Sequence, residues 1–276
     1  MISAERQTII KNAVNYYFDN DIKVAECAKL FGIHRCTLGK YIRLKDPEYN
    51  TRRKYDIDKH FFDSIDTEEK AYILGFLTVD GCIKSQYGCI KLALTKKDEE
   101  ILEKMRAAMK YEKPLDVIHK SGFNSIYPTI EMNIACKEMY DKLVEYGFSV
   151  NKTFHEKFCE KVPKELIRHY IRGIFDGDGW FSYNESNKWC EFGIGIGKDI
   201  LESIKNIFDK EFKIPPLKYQ IRQYKSIYRL RISSAKYVEK IFHYFYDDAN
   251  IYLQRKHEKM KIVCRSKTKV RKSLND

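Results

Sequence analysis

Two apolar segments of this chain each end on an aspartate followed by glycine. The run AYILGFLTVDG contains Asp80, and the run HYIRGIFDGDG contains Asp178. Each run is typical of a buried helix, and the negative end of a helix dipole is an unfavourable place for a carboxylate. Two carboxylates and the carbonyls without helical partners at Val79 and Gly177 are oxygen ligands that suit Mg²⁺, with Mn²⁺ as a substitute. The pattern predicts a divalent-metal site.

The two segments belong to an internal repeat. A shift of 98 positions aligns Tyr72 with Tyr170, Gly75 with Gly173, and Asp80 with Asp178. After each segment the patterns predict a hairpin, a helix, a second hairpin and a last helix. The chain is therefore expected to contain a duplicated α+β domain.

A glycine in the middle of each apolar helix indicates how the copies meet. Glycine costs about 1 kcal/mol relative to alanine inside a helix, so Gly75 and Gly173 indicate that two backbones approach closely. Packing about a pseudo-twofold axis would bring Asp80 and Asp178 together. A single Asp-Gly after a helix is ordinarily only a C-terminal turn, but two copies in register favour the metal site.

The segments ILGFLTVDG and IRGIFDGDG resemble the two signature helices of monomeric LAGLIDADG homing endonucleases. The duplicated αββαββα order is similar to that family throughout residues 66–263, which implies a saddle of two antiparallel sheets. The resemblance implies that Asp80 and Asp178 bind the metals that cut both DNA strands across the minor groove, leaving staggered ends. Thr78 departs from the family, which usually has an additional acid there, as Asp176 does in the second copy.

The resemblance also assigns four lysines to the active site. A basic residue near the close of each repeat, which assists the water network, matches Lys152 and Lys256. A polar residue after the second strand of each repeat falls on Lys96 and Lys198. The implied reaction is metal-assisted phosphodiester hydrolysis with in-line attack and no covalent nucleophile.

The charge of the chain favours a polyanionic partner. The net charge is +12, and the segment from Lys213 to Lys236 has seven basic residues and no acid. Alternation along the strands places polar residues on one sheet face, where arginine and glutamine suit guanine and adenine edges. An ordinary solvated face usually mixes charges of both signs, so DNA contact is the better interpretation. The candidate residues are Lys218, Gln220, Arg222, Arg229 and Arg231 in the second repeat, and Lys84, Gln86 and Lys91 in the first.

A separate helical unit precedes the repeats. The segment VAECAKLFGIHRCTLGKYI resembles a helix-turn-helix, with Gly32 at the turn. Its predicted core is Cys27, Phe31, Ile33, Leu38 and Tyr41. The side chains expected to reach DNA are His34, Arg35, Thr37, Lys40 and Arg43, although a three-helix bundle without groove contacts is the alternative.

The predicted domains are a helix-turn-helix module at 1–45, a linker at 46–65, repeats at 66–160 and 161–263, and a basic tail at 264–276. The eight cysteines are scattered without a CxxC pair, so we expect free thiols and no structural zinc. Without a signal peptide or an apolar run long enough for a membrane span, we expect an intracellular protein, cytoplasmic or organellar.

These features predict a monomeric, Mg²⁺-dependent endonuclease that cuts double-stranded DNA at a long asymmetric target. The alternative is a non-cleaving DNA-binding regulator or intron-splicing maturase with the same fold. The presence of both Asp80 and Asp178 argues against that alternative, because a protein that only binds DNA has no reason to hold two carboxylates beside a polyanion. An intein endonuclease is disfavoured, since we find no splice-junction His-Asn and no N-terminal nucleophile.

Overall fold

The computed structural model describes residues 3–20, 22–46, 55–84, 88–118, 128–149, 157–215 and 219–264. The chain divides into two compact units, Met1–Tyr55 and Asp56–Asp276. All eight cysteines are free thiols. Among the described residues, no helix has the length and apolar character that crossing a membrane would need.

The described part of the first unit contains three helices, as the sequence predicts. They are α1 (Ala4–Asp19), α2 (Val24–Leu30) and α3 (Arg35–Lys45). Gly32 has a φ of +62°, which suits the tight turn between α2 and α3. Cys27 and Leu38 are buried as predicted, whereas the other predicted core residues are only partly buried. The remaining buried core comes from Ile10, Ala13, Val14, Ala28 and Ile42.

The second unit contains the predicted αββαββα order twice. The first copy is α4 (Glu68–Asp80), β1 (Cys82–Lys84), β2 (Cys89–Thr95), α5 (Glu99–Ala108), β3 (Asp116–Ile118), β4 (Thr129–Ala135) and α6 (Lys137–Glu145). The second copy is α7 (Ile167–Asp178), β5 (Gly179–Asn184), β6 (Trp189–Ile196), α8 (Lys198–Phe212), β7 (Tyr219–Tyr224), β8 (Ile227–Ile232) and α9 (Ala235–Tyr246). An additional helix, α10 (Gln254–Met260), follows the predicted last helix of the second repeat and contains Lys256.

Each copy forms a four-stranded antiparallel sheet. The strand orders are β1-β2-β4-β3 and β5-β6-β8-β7, so the two sheets have the same topology. The strand residues on one face are apolar and buried, as Ile90, Met132, Phe192 and Leu230 show. The residues that alternate with them form the opposite face, called the open face below. This arrangement confirms the predicted α+β fold.

The predicted linker is wrong over residues 56–65. The boundary between the two units lies after Tyr55, and Phe61, Phe62 and Ile65 are buried in the second unit. The Tyr146 hydroxyl also donates to the Phe62 carbonyl at 2.7 Å. The polar composition of this segment concealed three apolar side chains that belong to the core. Residues 47–54 of the predicted linker lie outside the described residues.

Candidate metal and nucleic-acid site at the paired helix ends

Helices α4 and α7 pack backbone against backbone at their glycines. A Cβ placed on Gly75 would lie 2.0 Å from the carbonyl oxygen of Tyr170. A Cβ on Gly173 would lie 2.1 Å from the carbonyl oxygen of Tyr72. Real Cβ atoms do not approach oxygens so closely, so only glycine fits at these two places. The predicted close packing of the two copies is confirmed.

This packing brings the C-terminal ends of α4 and α7 together. Asp80 and Asp178 are the last residues of the two helices. A Cβ on Gly177 would lie 2.2 Å from Cγ2 of Val79 and 3.0 Å from Oδ2 of Asp80. The Asp80 carboxylate therefore lies against the last turn of α7, beside the residue that precedes Asp178. Asp80 is half-buried and Asp178 is exposed, so solvent reaches the site.

Lys256 lies directly behind the two aspartates, with its ammonium group buried at the end of α7. Its Nζ donates to four backbone carbonyls, those of Phe175 at 2.7 Å, Asp176 at 2.7 Å, Gly177 at 3.3 Å and Gly179 at 2.6 Å. Lys256 thus donates hydrogen bonds to the last carbonyls of the helix, which have no helical amide as a partner.

The buried position of the ammonium group affects the pKa of Lys256 and the surroundings of the Gly177 carbonyl. Burial lowers the pKa of Lys256 to about 8, although Asp176, Asp80 and Asp178 act in the opposite direction. The Gly177 carbonyl, predicted as a metal ligand, faces this ammonium. The hydrogen bonds described for Lys256 are with backbone oxygens.

Residues two positions before the motif aspartates bind a tyrosine of the opposite helix. The Tyr72 hydroxyl donates to Oδ2 of Asp176 at 2.8 Å, and the Thr78 hydroxyl lies 3.1 Å from the Tyr170 hydroxyl. All four residues are buried. The Leu253 amide also donates to Asp176 at 2.7 Å. Burial raises the pKa of Asp176, and this acid holds protein groups inside the interface.

The other predicted lysines have partners of their own. Lys96 forms an ion pair with Glu99, and Lys198 pairs with Glu202 at 3.4 Å. Each glutamate lies three or four residues further along the chain, so these pairs are local. Lys152 lies outside the described residues.

The sequence analysis missed Arg255, which joins the two copies near Asp80. Its Nε and Nη2 donate to the two carboxylate oxygens of Asp98 at 2.7 Å and 3.0 Å. The hydrogen bond that Arg255 donates to Asp98 raises the pKa of Arg255, with a smaller contribution from the charge of Asp80. Arg255 precedes Lys256 on α10, and Asp98 follows the second strand of the first copy. No local pattern connects residues so far apart in the chain.

One of the predicted DNA-contacting arginines packs on aromatic rings of the open face of the second sheet. The Arg229 guanidinium lies 3.5 Å from the ring centre of Tyr224 and 5.5 Å from that of Trp180. Arg222 is exposed and lies opposite Arg229 in the register of β7 and β8. Gln220 lies opposite Arg231, and Lys218 lies outside the described residues.

One acid of this face was missed, because it belongs to a different strand. Glu191 on β6 is buried, and it accepts from Nε of Arg231 at 2.8 Å and from Nε1 of Trp180 at 3.0 Å. The sequence of the basic β7–β8 hairpin contains no acid, but strand β6 of the same sheet contributes Glu191. Glu191 orients Arg231 on the open face.

The open face of the first sheet has charges of both signs. Lys91 forms an ion pair with Glu131 at 2.6 Å, and Asn133 donates to Asp116 at 3.3 Å. Lys84 is exposed at the end of β1. Gln86 lies outside the described residues.

In the first unit, the predicted DNA-contacting side chains lie along α3. His34 is the N-cap of α3, where its Nδ1 accepts from the Cys36 amide at 3.3 Å. Arg35 and Lys40 are exposed, Thr37 is half-buried, and Arg43 donates to the Gly39 carbonyl at 3.3 Å. The unit thus presents four exposed basic side chains on its third helix, those of Arg35, Lys40, Arg43 and Lys45.

Comparisons with known proteins agree with this architecture. Residues 165–245 match the family model described as a LAGLIDADG-like domain. The homing endonuclease I-WcaI, in a structure bound to its DNA recognition sequence, is 14% identical with a TM-score of 0.52, over 73% of this chain and 91% of that chain. The second unit has the LAGLIDADG fold.

Further LAGLIDADG proteins among the solved structures are similar over comparable lengths. The meganuclease I-CpaMI bound to uncleaved DNA is 14% identical with a TM-score of 0.49, over 74% of this chain and 93% of that chain. Full-length DUF199/WhiA from Thermatoga maritima is 17% identical with a TM-score of 0.47, over 76% of this chain and 65% of that chain. A search of curated proteins finds no match.

Proposed function

We propose that this chain is a site-specific homing endonuclease that makes a staggered double-strand cut in DNA by Mg²⁺-assisted hydrolysis. One observation carries the proposal: the Asp80 carboxylate lies against Gly177, next to Asp178, at the joined ends of two helices. Two acids at such a place, on a chain with a net charge of +12, suit cations and a polyanionic substrate. The LAGLIDADG fold supports this assignment.

The donor set fits a hard divalent cation. Asp80 and Asp178 offer carboxylate oxygens from two different helices, and both are accessible to solvent. The missing Cβ of Gly177 leaves room for the Asp80 carboxylate. Bound by these two residues, Mg²⁺ would lower the pKa of water and neutralise charge that develops on the phosphate.

The residues around the aspartates hold the two helix ends in place. The backbone contacts at Gly75 and Gly173 set the separation of α4 and α7. Lys256 binds the last carbonyls of α7 and places a positive charge behind both aspartates. Arg255 binds Asp98 and so ties α10 to the first copy. These contacts keep the acids in position without help from a ligand.

The open faces of the two sheets are the surfaces for DNA in this proposal. Arg222 and Arg229 supply positive charge on the second sheet, and Arg231 is oriented by Glu191. Arginine suits bidentate contacts to guanine. Because the two sheets differ in charge, the target is expected to be asymmetric. Both helix ends come from one chain, so a monomer suffices.

The decisive experiment compares cleavage and binding of a randomised DNA library. In Mg²⁺ the chain should produce staggered ends at a defined sequence, and Ca²⁺ should serve as a binding-only control. Asp80→Asn and Asp178→Asn should each lower double-strand cleavage by more than about 100-fold, because each removes charge that faces the metal. Binding in Ca²⁺ should remain.

The matched control is Asp141→Asn, which changes an exposed aspartate paired with Lys137 on α6. This variant should cleave as the parent does. Full cleavage by the double variant of Asp80 and Asp178 would refute the proposal. Specific binding without any cleavage by the parent chain would favour the regulator or maturase alternative.

A further inference from the structure

Three side chains with metal-binding atoms meet between α9 and the segment that follows α10. Glu239 and His243 are four residues apart on α9, so they share one face of the helix. Cys264 comes from the segment after α10, and one ligand atom of each residue lies within 4.8 Å of the others. The Cys264 Sγ is 3.9 Å from Nε2 of His243. The three residues thus converge on a single point.

A fourth residue orients the histidine for metal binding. Asp247 lies one turn beyond His243, and its Oδ1 is 3.0 Å from Nδ1 of the imidazole. A carboxylate only accepts hydrogen bonds, so Nδ1 carries a proton, and the neutral imidazole then has its lone pair on Nε2. Nε2 is the atom that lies near the Cys264 sulfur. A carboxylate on the second ring nitrogen is the usual support for a histidine ligand of a metal.

We propose that Glu239, His243 and Cys264 form a zinc site. Ligand atoms around tetrahedral zinc lie roughly 3.5 Å apart, so small side-chain movements close the observed spacing. A thiolate and an imidazole select zinc over Mg²⁺. His243 is exposed and the other two residues are half-buried, so an ion can enter and water can fill the fourth position. Binding uses the thiolate, and the Cys264 proton passes to solvent.

The site would fasten the end of α10 to α9. Met260 and Val263 are already buried in this region. Helix α10 carries Lys256 and Arg255, which contact the carbonyls of α7 and the Asp98 carboxylate. A bound zinc would therefore stabilise the helix that positions these two side chains. It does so outside the paired aspartates, with soft rather than hard ligands.

Cobalt is the probe that tests the site directly. The full chain, reduced and freed of metal by a chelator, is titrated with Co²⁺ and followed by absorbance. One equivalent should produce a thiolate-to-cobalt charge-transfer band, which Zn²⁺ abolishes and Mg²⁺ leaves unchanged. Cys264→Ser should lose the band, and Asp247→Asn should weaken Co²⁺ affinity about 10- to 100-fold.

Two variants act as controls. Cys36→Ser removes an exposed cysteine of the first unit and should keep the band. Asp80→Asn should also keep it, which separates this site from the proposed Mg²⁺ site. Zn²⁺ should raise the Tm of the parent and of Cys36→Ser, but not that of Cys264→Ser.

His243→Ala keeps the test decisive if Cys264→Ser does not fold. This variant retains all eight thiols and should lose most of its Co²⁺ affinity. Absence of the band in the parent chain would overturn the proposal. A band that persists unchanged in His243→Ala or in Cys264→Ser would also overturn it.

Discussion

The helices α4 and α7 occupy equivalent places in the two copies, yet they bury different chemistry. On the faces that meet, their residues match at the tyrosines, the glycines and the terminal aspartates. At three further positions, α7 buries His169, Arg172 and Asp176 where α4 has Ala71, Leu74 and Thr78. Symmetry is kept at the tyrosines and at the glycines where the backbones meet. It is lost where α7 binds additional groups, which include Tyr72 and Glu68 of the first copy.

The segments of the protein that pack against α7 explain its buried polar residues. Arg172 donates to the carbonyls of Phe245 at 2.5 Å and Ile251 at 3.1 Å, and it pairs with Glu68 at 2.6 Å. Asp176 accepts from the Leu253 amide. Buried backbone groups need hydrogen-bond partners, and α7 supplies them with its side chains.

The open faces of the two sheets also carry different residues at equivalent positions. The two sheets can be compared by aligning the buried pair Ile83–Ile90 of the first with the pair Phe181–Phe192 of the second. At equivalent positions of the open faces, the first sheet then has acids where the second has arginines. Asp116 and Glu131 correspond to Arg222 and Arg229. A duplicated fold can therefore present unlike surfaces to the two halves of one ligand.

The largest expected effect tests the part of the comparison where the copies agree. Gly75→Ala and Gly173→Ala should each lower the free energy of unfolding by more than about 3 kcal/mol, because the new Cβ overlaps a carbonyl oxygen. Urea denaturation measures this loss. Gly195→Ala, whose Cβ meets only side-chain atoms at 3.3 Å or more, should change stability by less than about 1 kcal/mol. A tolerated alanine at either helix glycine would contradict the close packing.

The next effect tests the positions where the helices differ. Asp176→Ala leaves the Tyr72 hydroxyl and the Leu253 amide without their acceptor, and it should cost about 3 kcal/mol. Thr78→Ala removes a hydroxyl that donates to the Leu74 carbonyl of its own helix and contacts the Tyr170 hydroxyl, and it should cost about 1 kcal/mol. Equal losses in urea denaturation would show that the asymmetry has no energetic consequence.

The pH dependence of stability should report on α7 through His169. Burial, with help from Arg172, lowers the pKa of His169 to about 4. Between the unfolded value near 6.5 and about 4, the unfolded chain binds a proton that the folded chain does not, so the free energy of unfolding falls as the pH decreases. Over the whole interval the expected loss is about 3 kcal/mol. Denaturation of His169→Gln should lack this component, and an unchanged profile would refute the assignment.

The smallest effect concerns the proposed DNA binding by the two open faces. Arg222→Ala should weaken binding several-fold and reduce the salt dependence of log K by about 1, because it removes one positive charge from a face proposed to contact DNA. Asp116→Ala, at the matching place of the first sheet, should not weaken binding. Titration of labelled DNA in Ca²⁺ at several salt concentrations measures both. Equal weakening by the two variants would contradict the difference in charge.

Much of the fold could be predicted because it depends on local patterns. Residue periodicity predicted the helices and strands, and the self-similarity around Gly75 and Gly173 predicted the packing of the copies. The predicted linker failed at Phe61 and Phe62, because a short apolar pair in a polar segment has no period. Glu191 was missed because it faces Arg231 from another strand.

By itself, the sequence determined the duplicated α+β architecture and the two aspartates that end α4 and α7. These follow from spacing along the chain, which a repeat preserves. Only the tertiary structure decided that Lys256 binds the carbonyls of α7 and that Cys264 meets His243. Those contacts join residues from separate elements, and their geometry depends on how the elements pack rather than on any local pattern.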